Sequence, residues 1–191
     1  MLTRSRLALL GLFAVFAAPP LLALVFYSGV GSWFEPGTVN RGSLLDPPRP
    51  APEGGLVLVN GNALPADWLY RRWTLVHLAA DGCGSACEAA LRAMGQAHRA
   101  LGRNEGRVQR LLLLPEASPL PARIDHPVAW VTLAWHRVLR DPSREGEEGQ
   151  SGTWLVDPRR FVVSYFPAGT GPGAIKDDLT RLLKHSKWQT G

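Results

Sequence analysis

The stretch from Leu7 to Val30 contains no charged residue, and it constrains this chain more than any other feature of the sequence. A helix needs about 20 apolar residues to cross the hydrocarbon core of a bilayer, and this run is slightly longer. A cleaved signal peptide is the alternative, but its apolar core is usually about 7–15 residues long and ends in small residues. Here bulky Leu22 and Phe26 occupy the place where cleavage would be expected. The sequence therefore predicts one uncleaved transmembrane helix, kinked at Pro19-Pro20.

The distribution of basic residues gives this helix a direction. Arg4 and Arg6 precede the span, whereas the next basic residue is Arg41. Under the positive-inside rule, residues 1–6 form a short cytoplasmic tail and residues 7–30 form the anchor. Everything after the anchor is then expected on the far side of the membrane.

The remaining sequence divides into a tether and one folded domain. Residues 31–55 are rich in proline and glycine, which we interpret as excluding helix and sheet and as forming a semi-rigid spacer. Residues 56–191 form the domain, and the 46% apolar and 19% charged fractions of the chain are typical of a folded protein. The net charge of +5 is small and dispersed, which argues against a nucleic-acid partner. Two cysteines are too few for a disulfide-stapled mini-protein or a four-thiolate zinc site.

Strands and helices alternate along the domain. Apolar residues recur at three- and four-residue spacing, as on the buried face of a helix, at Ala90, Leu91, Met94, Ala97 and Leu101. Neighbouring β-prone runs show no such period. Asp157-Pro158-Arg159-Arg160 fits a type I turn inside a hairpin, and residues 141–152 are polar enough to be a mobile loop. Strand, helix, strand, variable segment, hairpin and helix follow one another, which is the order of a thioredoxin-like α/β fold. The predicted strands cover residues 56–59, 73–79, 108–114, 128–133, 153–156 and 161–166, and the predicted helices cover residues 87–101 and 175–183.

The only two cysteines, Cys83 and Cys87, stand where a predicted strand meets a predicted helix. If Cys83 begins the first helical turn, the two β-carbons lie about 5–6 Å apart on one face. The helix N-terminus would then lower the pKa of both thiols, and the pair could hold one Cu(I) ion. A disulfide would require some distortion of that turn. The alternative interpretation is that two small apolar residues merely begin a helix.

The sequence resembles the Sco/SenC group of thioredoxin-fold copper proteins, which serve cytochrome c oxidase assembly. Within that group it is most similar to small membrane-anchored proteins encoded beside proteobacterial cytochrome oxidase genes. The similarity is collinear from about Leu56 onward. The matching stretches are Trp73-Thr74-Leu75-Val76 before the cysteines, Leu91-x-x-Met94-x-Gln96 with Ala100-Leu101-Gly102, Arg107-Val108-x-Arg110, Leu155-Val156-Asp157-Pro158, and Ile175-Lys176-Asp177-Asp178-Leu179-x-Arg181-Leu182-Leu183.

The resemblance transfers Cys83 and Cys87 as catalytic thiols and as metal ligands, but not a complete site. Sco proteins add a histidine shortly before the strand that ends in Asp-Pro, and here residues 148–154 contain none. Thioredoxins carry a proline in this region, which is missing as well. We expect His77 to be structural and His98 to lie too far along the helix to join the cysteines. His126 and His136 are candidates that could approach the cysteines, and His185 is expected to be solvated.

Three functions stay open on this sequence. The first is an inner-membrane assembly protein for a haem–copper oxidase, acting at the periplasmic face through Cu(I) binding or thiol exchange with the oxidase copper subunit or other assembly factors. The second is a general membrane-tethered thiol–disulfide oxidoreductase, which needs no copper. The third is a scaffold without chemistry. Only the second is an enzyme in the ordinary sense.

Overall fold

The computed structural model describes residues 4–27, 41–121, 124–140 and 150–186, and the chain forms two compact units, Met1–Val39 and Asn40–Gly191. In the first unit, helix α1 (Arg4–Tyr27) contains Pro19 and Pro20. Across the residues described, no helix combines the length and the apolar character that crossing a membrane requires. The transmembrane anchor therefore stays a prediction.

The second unit is built on one mixed seven-stranded sheet, in the order β1-β7-β6-β3-β4-β5-β2. Strands β3, β4 and β5 run parallel to one another, and the remaining neighbours pair antiparallel. The strands are β1 (Ser43–Pro50), β2 (Val57–Leu58), β3 (Trp73–Leu78), β4 (Val108–Leu114), β5 (Val128–Trp130), β6 (Gly152–Val156) and β7 (Phe161–Phe166). The helices are α2 (Ser85–Arg99), a 3-10 helix (Gly102–Arg107), α3 (Leu133–Val138) and α4 (Pro172–His185).

Helices cover both faces of the sheet, which explains why its central strands are apolar on both sides. All six residues of β3 are buried. Leu75 belongs to the core beneath α2 and α4, whereas Val76 belongs to the core on the opposite face, where α3 packs through Trp135. The domain therefore has three layers, and α2 lies on the face to which the odd-numbered residues of β3 point.

Most of the predicted elements are confirmed. Strands β4 and β7 have the predicted bounds, and β6 and β7 form the predicted hairpin. Its turn closes through a hydrogen bond from the Arg160 amide to the Asp157 carbonyl, N···O 2.9 Å. Residues 141–149 of the predicted mobile loop lie outside the described part of the chain.

The strand predicted over residues 128–133 is too long, because β5 ends at Trp130. Helix α3 follows almost at once, from Leu133 to Val138, with Thr132 at its N-terminal boundary. Six residues offer too short a window for the 3.6-residue period to stand out, and the helix is fixed instead by burial of Trp135.

The interpretation of the Pro-rich tether as free of sheet is wrong for residues 43–50. They form strand β1, which pairs with β7 at the edge of the sheet and is irregular between Leu44 and Arg49. An edge strand needs its backbone N–H groups on one side only, so prolines are tolerated there. The start of this strand is fixed by Asp178 on α4, whose carboxylate accepts hydrogen bonds from the amides of Arg41 and Gly42 at 2.7–3.0 Å.

Candidate functional site

The two cysteines lie in the connection from β3 to α2. Helix α2 begins at Ser85 with Gly84 as its N-cap, so Cys83 precedes the helix and Cys87 is in its first turn. Gly82 has a φ of +87°, a left-handed conformation that glycine adopts without a steric penalty. The amide of Gly82 donates to the carbonyl of Ala79 at 3.1 Å, which turns the chain back toward the helix.

The structure contains a disulfide between Cys83 and Cys87, with the Cα atoms 5.0 Å apart. The expectation that Cys83 begins the first helical turn is wrong, because the helix starts two residues later. The extended N-cap residue Gly84 lets Cys83 approach Cys87 without disturbing the helix. The distortion predicted for disulfide closure is therefore not needed, since 5.0 Å falls within the normal Cα range for disulfides.

The two halves of the disulfide differ in exposure. Cys87 is only 5% exposed and packs in the core beneath α2, whereas Cys83 is partly exposed and packs against the edge of that core. An incoming thiolate must approach along the S–S axis, and Cys83 is the more exposed of the two residues. Cys87 becomes the leaving group, and the N-terminal turn of α2 stabilises the negative charge that forms on it.

A cavity of about 610 Å³ opens beside Cys87, between the first turns of α2, the start of β6 and the loop that leads into α4. Ser151, Gly152 and Thr153 form its wall on β6. The Ser151 hydroxyl accepts a hydrogen bond from the Ala80 amide at 3.0 Å, which ties this wall to the cysteine loop. The segment in which Sco proteins carry their histidine therefore does meet the cysteine loop, but with serine, glycine and threonine.

Gly152 could not carry a side chain in this backbone. A Cβ atom there would lie 2.6 Å from Cε2 of Tyr165 and 3.0 Å from Cη2 of Trp154. Both rings are buried and pack on each other, with centroids 5.0 Å apart. A side chain at position 152 would therefore be directed against these two rings, so the packing strongly favours glycine here.

His77 contributes an imidazole to the same cavity wall. Its Nδ1 lies 2.9 Å from Oγ1 of Thr153, and that hydroxyl donates to the sulfur of Met94 at 3.9 Å. The ring tautomer decides whether Nδ1 or the hydroxyl donates in the hydrogen bond between His77 and Thr153. Nε2 is buried and has no hydrogen-bond partner among the described residues.

Burial is the main reason why the pKa of His77 falls from 6.5 to about 4. The Gly152 backbone raises this pKa, and the charge of His126 lowers it further, but neither outweighs desolvation. His77 is therefore neutral at physiological pH, and its structural role stays a prediction. Its position in the cavity wall was not predicted, although its place on the strand that leads to Cys83 was a signal that could have shown it.

The other histidines do not join the cysteines. Nε2 of His98 donates to the carbonyls of Glu105 and Val108 at 3.0 and 2.8 Å. His126 lines a separate cavity, His136 lies on α3 across the sheet, and His185 ends α4 in solvent. The expectation that His126 or His136 could approach the cysteines is not met in this structure. Within the described residues, no three His, Cys, Asp or Glu side chains are placed to hold a metal ion.

A disulfide at the strand-to-helix junction of a mixed sheet, in which Cys83 is partly exposed, defines a thioredoxin-like protein. A family model described as "transmembrane-like, thioredoxin-like, C-terminal domain" matches residues 73–186, and the chain belongs to that family. No curated protein matches the chain by sequence.

Solved structures that share the fold include Sco proteins and a thiol:disulfide interchange protein. Apo Sco1 from Thermus thermophilus is 18% identical with a TM-score of 0.55, and the match covers 76% of this chain and 99% of that one. Yeast Sco1 with copper bound is 15% identical with a TM-score of 0.54, covering 72% and 90%. The thiol:disulfide interchange protein of the thioredoxin family from Chlorobium tepidum is 17% identical with a TM-score of 0.54, covering 71% and 97%. At these identities the likeness establishes the fold.

Proposed function

We propose that this protein assists assembly of a haem–copper oxidase by exchanging its Cys83–Cys87 disulfide with paired cysteines of the oxidase copper subunit. The observation that carries the proposal is the asymmetric disulfide, partly exposed at Cys83 and buried at Cys87 beside a cavity. The similarity of the fold to Sco proteins and to a thiol:disulfide interchange protein supports it.

The exchange takes two steps. A thiolate of the partner attacks Sγ of Cys83, the bond to Cys87 breaks, and Cys87 leaves as a thiolate. The second thiolate of the partner then attacks the partner sulfur of the mixed disulfide. The bond to Cys83 breaks, and Cys83 leaves as a thiolate. The partner gains a disulfide, and this chain gains two electrons.

Transfer of Cu(I) as cargo is the second candidate, because it uses the same side chains in their reduced form. The fold is shared with yeast Sco1 with copper bound. Two thiolates suit Cu(I), a soft ion, whereas Cu(II) prefers square-planar or tetragonal sites with nitrogen and oxygen ligands. The donor set of Cys83 and Cys87, without a third His, Cys, Asp or Glu nearby among the described residues, fits Cu(I) and does not fit Cu(II).

One preparation tests both candidates. The full chain in non-ionic detergent is equilibrated with a peptide that carries two cysteines, and the reduced chain is titrated with Cu(I) against a competing chelator. Exchange without copper retention supports the first candidate, and retention without exchange supports the second. The Cys83→Ser/Cys87→Ser variant should lose both activities, and Ala86→Ser, which adds a hydroxyl to the same helical turn and keeps both thiols, should keep them. Failure of the natural chain in both assays would contradict the proposal.

We further propose that residues 7–30 anchor the chain in the inner membrane, with the domain in the periplasm. The absence of charge between Leu7 and Val30 supports the anchor, and the position of Arg4 and Arg6 supports this orientation. A reporter fused after Gly191 that folds only outside the cytoplasm should be active. Activity of a strictly cytoplasmic reporter at the same position would contradict it.

A further inference from the structure

A second cavity, of about 550 Å³, lies on the other flank of α2. We call it the arginine pocket, because Arg92, Arg99 and Arg110 line it together with Asp125 and His126. Neither cysteine lines it. The proposed thiol chemistry therefore gives no account of why charged groups converge here.

Arg110 is a buried cation that reaches this pocket from the sheet. It belongs to β4, its side chain is 9% exposed, and it passes under α2 at Gly95. A Cβ atom at position 95 would lie 3.1 Å from Nη1 of Arg110 and 3.4 Å from Nη1 of Arg99. These two distances place the guanidinium nitrogens within about 6.5 Å of each other. The glycine in the middle of α2 leaves the room that two converging cations occupy.

The carboxylates in the pocket do not balance its arginines. Asp125 accepts two hydrogen bonds from Arg110, at 3.2 and 2.9 Å, and Glu88 lies 3.7 Å from Arg92. Arg99 has no hydrogen bond or ion pair within the described part of the chain. The pocket therefore holds one more cation than carboxylates, and the cation without a partner stands beside a buried one.

His126 adds an acceptor to this cationic site. Its side chain is 4% exposed, and Nδ1 lies 2.8 Å from Oδ1 of Asp125. Because a carboxylate only accepts, Nδ1 carries the proton and Nε2 carries the lone pair. Nε2 is buried without a hydrogen-bond partner in the described residues. Burial lowers the pKa of His126, Asp125 raises it and Arg110 lowers it, with the net shift downward.

We propose that the arginine pocket binds a phosphate monoester in its hydrogen-phosphate form. The charged oxygens accept hydrogen bonds from Arg99 and Arg110, and the P–OH group donates to Nε2 of His126. The ester group rests on the apolar part of the wall, which Leu91, Pro121 and Ile124 provide. A cavity of this size is typical of sites for small organic ligands.

The unpartnered Nε2 decides between this ligand and other anions. Sulfate matches the shape and charge of phosphate but has no O–H donor at neutral pH, and carboxylates have none either. Either anion would leave Nε2 buried and unsatisfied, as it is in the free protein. Hydrogen phosphate satisfies both the arginines and the imidazole.

Binding of inorganic phosphate, phenyl phosphate and sulfate to the full chain in non-ionic detergent tests the proposal, by calorimetry at constant ionic strength and at pH 5.5, where most of a phosphate monoester keeps its P–OH group. We expect phenyl phosphate to bind more tightly than phosphate, and phosphate about tenfold more tightly than sulfate, the ratio that 1.4 kcal/mol gives. Absence of saturable phosphate binding at millimolar concentration would overturn the proposal, as would equal binding of sulfate and phosphate.

Three variants locate the binding. Arg99→Gln should weaken phosphate binding at least about tenfold, as loss of a charge-assisted hydrogen bond predicts. Gly95→Ala places a Cβ atom 3.1 Å from Nη1 of Arg110 without changing charge, and should also weaken binding. The control Arg103→Gln removes an exposed charge from the 3-10 helix and should leave binding unchanged. Unchanged affinity in Arg99→Gln and Gly95→Ala, or an equal loss in Arg103→Gln, would overturn the assignment.

His126→Phe provides the test of specificity. It removes the acceptor while keeping an aromatic ring, so phosphate and sulfate should bind equally in this variant. In the natural chain, phosphate should also raise the pKa of His126 measured by NMR. A variant that still prefers phosphate tenfold would overturn the role of His126. Loss of the disulfide exchange leaves all these expectations unchanged, so failure here and failure of the proposed function are distinguishable.

Discussion

Helix α2 separates two cavities whose histidines differ in one partner. On one flank, Nδ1 of His77 meets the neutral hydroxyl of Thr153, and the cavity contains Cys87 and a single carboxylate, Asp81. On the other flank, Nδ1 of His126 lies next to the carboxylate of Asp125, and three arginines line the same cavity. Both rings present an unpartnered Nε2.

The difference teaches how one helix can serve two chemistries without mixing them. The disulfide flank carries little charge, so the state of Cys87 depends mainly on burial and on the helix N-terminus. The arginine flank carries several charges and no sulfur, so it suits an anion. We therefore expect substitution of the cysteines to leave the arginine flank unaffected, since neither cysteine lines that cavity. The two histidines are coupled, because the charge of His126 lowers the pKa of His77.

The largest expected effect follows from removing either sulfur. Cys83→Ser or Cys87→Ser should abolish complete exchange with a dithiol peptide and should abolish Cu(I) retention against a chelator, because one thiolate cannot form the two-coordinate site. Phosphate binding in the arginine pocket should be unchanged. A parallel loss of phosphate binding in a folded variant would show that the two flanks are coupled.

The pH dependence of the free energy of unfolding should show that His77 is buried as a neutral ring. Its pKa is about 4 in the folded chain and 6.5 in the unfolded chain, so the unfolded chain binds the proton first. Stability from this group is complete above about pH 6.5, falls as the pH drops toward 4, and levels off below, with a loss on the order of 3 kcal/mol. Chemical denaturation of the natural chain and of His77→Leu, from pH 7 to pH 4, measures the difference in slope. Equal slopes would mean that His77 is not buried as a neutral ring.

The two glycines beside the cavities should respond differently to alanine. In Gly152→Ala the new Cβ meets the rigid rings of Tyr165 and Trp154, and overpacking of this kind costs about 1–3 kcal/mol. In Gly95→Ala it meets only the far ends of two arginines, and the helix gains about 0.5–1 kcal/mol from the better helix former. Gly173→Ala, in open space at the start of α4, is the control for Gly152→Ala. Equal stability of the variants at 95 and 152 would contradict the close packing at Gly152.

Reduction of the disulfide should have a modest effect on stability. The closed loop is short, with a sequence separation of 4, so the loss of chain entropy in the unfolded state is small. The chain-entropy relation gives about 2 kcal/mol. Urea denaturation with and without reductant measures it, with Cys83→Ser/Cys87→Ser as the control that should not respond to reductant. A much larger loss would indicate that the disulfide maintains the cavity itself.

The elements that the sequence predicted best are those that end at a proline. Strand β4 is a continuous apolar run that Pro115 closes, and β7 ends before Pro167, so both had clear limits. Strand β1 was missed because its prolines argue locally against sheet, and only pairing with β7 outweighs that preference. The start of α2 was placed two residues late, because Gly84 makes no side-chain cap and leaves no signal in the sequence.

The candidate site was predictable as a pair of residues but not as an arrangement. The spacing and position of Cys83 and Cys87 indicated a joint role. Which of the two is buried depends on the packing of α2 against the sheet, and no local pattern contains that information. The arginine pocket joins Arg110 on β4 to Arg99 on α2, and two residues on different elements meet only in the folded chain.

The most direct test of the account is which cysteine forms the mixed disulfide. The Cys87→Ser and Cys83→Ser variants of the full chain are each mixed with a peptide containing one disulfide, and the covalent adducts are followed by mass spectrometry. The partly exposed Cys83 in Cys87→Ser should form an adduct at least about tenfold faster than the buried Cys87 in Cys83→Ser, since exchange rates depend on access to the attacking thiolate. Equal rates, or faster reaction at Cys87, would contradict the assignment of Cys83 as the residue that forms the mixed disulfide.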